Sequence, residues 1–170
     1  MTTSTAAAAL KPATYRIDTV RSTVRFTARG MFGLVPVTGT FQLRHGSVTV
    51  APDLADSSVT AVIDAGSVNT ANERRDKDLR SARFLDTTRY PEIAFAGDTV
   101  RDGEVTGVLR VHGESKRIAL TPSVEVIPGA CHFTATIRID RYAFGLTGGK
   151  GFVGRYTDVE LDVWCLELAS

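Results

Sequence analysis

The feature that most constrains this chain is a period of two. From Asp158 to Cys165, the apolar Val159, Leu161, Val163 and Cys165 alternate with Asp158, Glu160, Asp162 and Trp164. Successive side chains of a strand point to opposite faces, so such a segment buries one face and wets the other. The same alternation sets Val24, Phe26 and Ala28 on one face, and Val59, Ala61 and Ile63 on another segment's face. It returns in Ile93 and Phe95, in Val105, Leu109 and Val111, in Ile118 and Leu120, and from Phe133 to Ile139. Pro52-Asp53, Asp102-Gly103, His112-Gly113 and Pro128-Gly129 punctuate these runs as turns. The 18 valines and 21 threonines fit the same picture, because β-branched side chains suit a pleated, half-buried surface. Links this short imply antiparallel order, since parallel neighbours need long crossovers. The expectation is an all-β fold of about eight strands. A sandwich and a closed barrel both accommodate it, and periodicity alone does not choose between them.

One segment breaks the rhythm. Thr70-Ala71-Asn72-Glu73 matches a capping box, with Thr70 as the cap, and Arg74 to Phe84 holds neither Gly nor Pro. Its apolar residues are chiefly Leu79, Ala82 and Phe84 at rough helical spacing, which predicts one short helix over about 71–84 lying on an end or side of the sheet. Tyr90-Pro91 then returns the chain to extended backbone.

Composition narrows the function. The 170 residues suit one domain, 14–170, preceded by an Ala/Thr-rich tail over 1–13 that reads as flexible. A net charge of +1 offers no long-range field for nucleic acid or an anionic bilayer, and the longest run free of polar residues, Met31 to Val37, is too short for a membrane span. The start lacks the basic and apolar regions of a secretory signal, so the expectation is a cytoplasmic protein whose two cysteines, Cys131 and Cys165, are reduced.

Few motifs carry chemistry. The run Gly145 to Gly151 has Phe144 and Gly151 where a phosphate loop needs Gly and Ser or Thr, so it reads as a flexible connection. His45, His112 and His132 show no metal-binding spacing. Five basic and four acidic residues between Glu73 and Asp86 make a mixed, solvated face.

Six ordered blocks resemble the YceI-like family of bacterial lipid-binding barrels, from Tyr15 to about Leu168. They are Tyr15-Arg-Ile-Asp18 with Ser22-Thr-Val-Arg-Phe26, Val37-Thr-Gly39-Thr-Phe41, and Arg75 to Asp86 followed by Tyr90-Pro91-Glu-Ile-Ala-Phe95. Gly107 to Gly113 with Lys116, Ile139-Asp-Arg141-Tyr-Ala-Phe144-Gly145, and Val159-Glu-Leu161 complete the set. The chain departs from the family pattern at Arg21 and Asp78, where histidine is usual, and at Gly154 to Asp158.

The resemblance implies an eight-stranded antiparallel, lipocalin-like barrel holding a long apolar molecule, typically a polyisoprenoid chain or isoprenoid quinone. Spacing, charge and hydropathy give the companion expectations of no metal, no nucleic acid and no stable membrane insertion; no cofactor beyond the lipid is expected, and a homodimer stays open. On this reading Phe26, Phe41, Phe95 and Leu109 line the tunnel, and Arg83, Asp76 and Arg141 hold the head group. Small inward residues such as Ala28, Ala61, Ala94 or Gly107 would leave room for the ligand. Two other readings compete: a barrel-hosted enzyme on a small apolar substrate, with His112 or Asp76 as general base, and haem binding through His112, His45 or His132.

Overall fold

The computed structural model describes residues 10–30 and 34–169. Ten strands follow one another: β1 (Ala13–Ile17), β2 (Thr23–Gly30), β3 (Val35–Val50), β4 (Ser58–Asn69), β5 (Glu92–Arg101), β6 (Glu104–Val111), β7 (Glu114–Leu120), β8 (Ser123–Ile127), β9 (Ala130–Asp140) and β10 (Tyr156–Glu167). A single α-helix, α1 (Glu73–Arg80), and two 3-10 turns, Leu54–Asp56 and Arg141–Phe144, complete the described elements.

All strand pairings are antiparallel and follow one path from β7 to β8; with the direct chain link between those two strands they make a barrel of eight staves. Two staves are each built from two strands. β1 and β2 fill the same slot between β3 and β10, one pairing with their Val50 and Glu167 ends and the other with their Val35 and Tyr156 ends. β7 pairs with β6, and β8 pairs with β9 after only Thr121 and Pro122, so this stave joins both sides of the barrel. The expected eight strands are therefore present as eight staves, and the count of ten comes from the two breaks.

Each break has a local cause. At the first, the Asp18 carboxylate accepts from the N–H groups of Val20 and Arg21 (3.1 and 3.2 Å), turning the chain. Ser22 then takes over the lost ladder position, its Oγ accepting from the Trp164 N–H at 2.9 Å. At the second, Pro122 has no N–H to give a ladder. The tight hairpins at Asp102-Gly103 and His112-Gly113 carry positive φ at both central residues, the type I′ geometry that matches strand twist.

Inward side chains form two packed regions. Leu10, Tyr15, Ile17, Val48, Val50 and the two cysteines fill the end where β1 begins. Ala65, Ile93, Val111 and Phe144 pack at the opposite end. Between them Phe26 lies across Gly39, its registered partner on β3: a Cβ there would sit 2.6 Å from the ring, so only glycine admits this aromatic.

The helix is shorter than expected. It begins at Asn72, whose side chain accepts from Arg75 N–H at 3.0 Å, rather than at Thr70. Thr70 instead donates its backbone N–H (2.9 Å) and its hydroxyl (2.6 Å) to the same carboxylate oxygen of Asp76. Ser81 ends the helix, and residues 81–91 continue as turns. The expected tail also shortens. Residues 1–9 lie outside the described residues, but Leu10 is buried, Lys11 pairs with Glu167 at 3.0 Å and Ala13 opens β1. The packed domain thus starts no later than Leu10.

Asp76 is 6% exposed. Replacing it with Ala strands two buried donors of Thr70, so Asp76→Ala should cost about 2 kcal/mol and lower the melting temperature by roughly 4–8 °C, read by thermal denaturation.

Candidate functional site

The inward faces of the staves enclose a cavity of about 340 Å³. Only Arg141 and Thr157 among its lining residues have polar side chains. Phe26, Phe41, Phe95 and Leu109, the four residues expected to line a tunnel, all line it. Phe26 and Phe41 come from neighbouring staves with ring centroids 5.2 Å apart, tilted by 41°. Phe95 and Leu109 face each other in register across β5 and β6. Ala28, Ala61 and Ala135 set the width, since each contributes only a methyl group to the wall.

The two ends differ. At the β1 end the core is packed. At the other, α1 and its following turns lay Leu79, Phe84 and Leu85 over the opening. The second cover is the loop between β9 and β10, which adds Leu146 and Val153. Apolar residues scattered through this glycine-rich stretch are the sequence signal for that role, and the loop is a cover rather than the simple flexible connection its glycines predict. Gly148 lets the two covers touch: a Cβ there would come within 2.0 Å of the Arg83 carbonyl oxygen.

Arg141 moors this loop. It is 7% exposed, and its guanidinium donates to four backbone carbonyls: Gly154 (2.7 Å), Leu146 (2.5 Å), Gly148 (2.8 Å) and Val153 (2.9 Å). Among the described residues no carboxylate forms an ion pair with it. Burial lowers its pKa, yet a guanidinium stays charged in proteins, so a positive charge faces the cavity beneath the cover. The neighbouring Asp140 caps the 3-10 turn by accepting from Tyr142 N–H (3.1 Å) and takes a two-pronged contact from Arg155 (3.0 and 2.8 Å). That pairing holds the Asp140 carboxyl below the usual aspartate range.

The remaining candidates lie elsewhere. Arg83 is exposed, with its guanidinium 5.4 Å from the centre of the Phe84 ring that lines the cavity. Asp76 is spent on Thr70 and does not line the cavity. None of the three histidines lines it either. His45 is exposed, and His112 packs on Tyr90 with centroids 4.6 Å apart. His132 stacks on Trp164 (4.0 Å, 9°) with Nε2 2.7 Å from Asp162, and Trp164 in turn lies under Arg21 at 4.0 Å. Asp78 is exposed on α1. Lys116, registered opposite Leu109, shares a face of β7 with Ile118 and Leu120 near the covered end.

An antiparallel barrel of eight staves with an apolar interior covered at one end defines a lipocalin-like barrel. The particular family follows from comparison: the chain belongs to the YceI-like domain family, whose model matches residues 15–164. A UPF0312 protein of Vibrio cholerae is 30% identical over 91% of this chain and 88% of its own length. Protein YceI of Shigella flexneri is 39% identical over 87 residues, which span 48% of this chain and about half, 46%, of that relative. Among solved structures, Burkholderia cenocepacia BcnA superposes with a TM-score of 0.79 at 21% identity, covering 87% of this chain and 98% of its own. A polyisoprenoid binding domain from Saccharophagus degradans gives 0.75 at 18%, covering 93% and 100%. At these identities the structures share the fold.

Lysine cannot reproduce the planar fork that reaches four carbonyls. Arg141→Lys should therefore free the loop over residues 146–154, speeding its amide hydrogen exchange by roughly 100-fold while β4 to β6 keep their protection.

Proposed function

We propose that this protein binds a long apolar lipid of the isoprenoid or isoprenoid-quinone type inside the barrel and carries it without transforming it. The carrying observation is the cavity itself: about 340 Å³ of space inside the barrel walled almost entirely by carbon. Such a volume sits at the lower end of ligand pockets and suits a thin chain rather than a broad ring system. Each methylene buried there contributes about 0.8 kcal/mol, so affinity for a long chain needs few polar contacts. The Saccharophagus degradans neighbour, a polyisoprenoid binding domain by description, supports the same ligand class.

On this reading Phe26, Phe41, Phe95 and Leu109 contact the chain, and Ala28, Ala61 and Ala135 leave its path open. The head group lies at the covered end. Arg141 offers charge and one uncommitted N–H there, while Arg83 sits outside Phe84 where an emerging polar group would pass. Asp76 acts at one remove, fixing the start of α1 through Thr70 and so the position of Leu79. Release follows displacement of the two covers, α1 with its turns and the 145–154 loop.

The freshly purified full chain, measured by native mass spectrometry and again after organic extraction, should release an apolar species built of five-carbon units. An apo mass, together with no uptake of an added long-chain polyprenol, would sink the carrier reading. Ala135→Trp plugs the wall where Ala135, Leu161, Val24 and Phe41 stand in register, and should cut polyprenol uptake at least tenfold. It should keep the barrel's circular dichroism, since overpacking costs about 1–3 kcal/mol. Undiminished uptake by that variant would place the ligand elsewhere.

A further inference from the structure

Two nucleophilic side chains play no part in the cavity. Cys131 on β9 and Cys165 on β10 are both 0% exposed, and neither lines the pocket. They are direct partners in the β9–β10 register, so their side chains leave the sheet on the same face. The kind of pair can be read from the backbone. Trp164 directs its N–H to Ser22 Oγ and its carbonyl to Asp18 N–H, both on the β1–β2 side. Alternation then turns the N–H and carbonyl of Cys165 toward β9, as it does for Glu167, whose N–H reaches the Gly129 carbonyl at 2.9 Å. Cys131 and Cys165 are therefore a hydrogen-bonded pair, with Cα atoms about 5.5 Å apart. A disulfide spans Cα separations of about 4.4–6.8 Å.

We propose that Cys131 and Cys165 are a redox-modification site, forming one cross-strand disulfide when the chain folds in the presence of a disulfide oxidant. The chemistry balances as exchange. The Cys131 thiolate attacks one sulfur of the oxidant and expels the other half as a thiolate. The Cys165 thiolate then attacks the Cys131 sulfur of the mixed disulfide and releases the second half. Two thiols have lost two protons and two electrons, and the oxidant has become two thiols. The exchange runs equally well with Cys165 attacking first, since the two strands are apart when the oxidant reaches them. The site's setting controls when exchange occurs. Tyr15, Val50, Leu10 and the rest of the packed end seal both sulfurs from water. The oxidant must therefore meet them before β10 docks, or upon its transient release. Once closed, the bond ties together the strand that holds β1 and β2 and the strand that holds β8, at the barrel's packed floor.

The test uses the full chain, denatured and reduced, then refolded in a mixture of reduced and oxidised glutathione. It is next trapped with iodoacetamide in guanidinium chloride and weighed intact. The expected product carries no alkyl group and no glutathione, and has lost two hydrogens. It melts on the order of 10 °C higher than the same protein treated with dithiothreitol, as expected for closing the long loop from residue 131 to residue 165. The variant C131A/C165A, refolded identically, should melt at one temperature with or without dithiothreitol. Natively folded wild type that takes up two alkyl groups or glutathione adducts after oxidising refolding would overturn the proposal. So would a disulfide-linked product whose circular dichroism is not that of the reduced barrel, or one that melts no higher than it.

Discussion

Everything in this molecule depends on the pairings made by β10. A sheet with one apolar face can dry that face against a second layer or by curling on itself, and only the second course leaves no edge to satisfy. β10 joins the two arms of the circuit because it pairs along its length with β9 and, on its other side, with β1 and β2 in succession, while the chain itself carries the circuit from β7 to β8. The interior exists because that circuit is eight staves round, wide enough that alanines at three wall positions leave space the larger side chains do not fill.

A hollow apolar interior needs ends, and the two ends are made by different physics. The floor is ordinary close packing of hydrophobic side chains. The covered end has a smaller apolar cluster, and the helix and loop laid over it are held in addition by polar contacts. Asp76 gathers two donors of Thr70, and Arg141 gathers four carbonyls of the loop. Hydrogen bonds of this kind fix geometry while contributing modestly to stability, so the covered end is not the end that holds the fold together.

Much of this was legible in the residues. The alternation of β10 and β9 states which side chains face inward, and the inward parity of Phe26 and Leu109 follows from the same arithmetic. Closure was not legible, because it rests on the pairing of residues such as Val24 and Leu161, which lie at opposite ends of the chain. β8 is five residues with one weakly alternating face, too short to announce itself. Asp76 reads as a solvated helix acid until the helix is seen to begin at Asn72, which frees Thr70 to meet it. Arg141 reads as a cation available to a ligand. Only the convergence of Gly154, Leu146, Gly148 and Val153 around it reveals that most of its donors are already engaged, and no local pattern encodes that convergence.

The Lys11–Glu167 contact brings the first stave and the last together at the floor, on the side away from the covers. The hairpin at Asp102-Gly103 turns at that same end. A barrel connected this way has no structural beginning: bridging Lys11 to Glu167, which already touch, and reopening the chain between Asp102 and Gly103 would preserve every described stave and both covers. The order in which the strands are synthesised is thus separable from the cavity they enclose, and circular permutation can alter the first without touching the second.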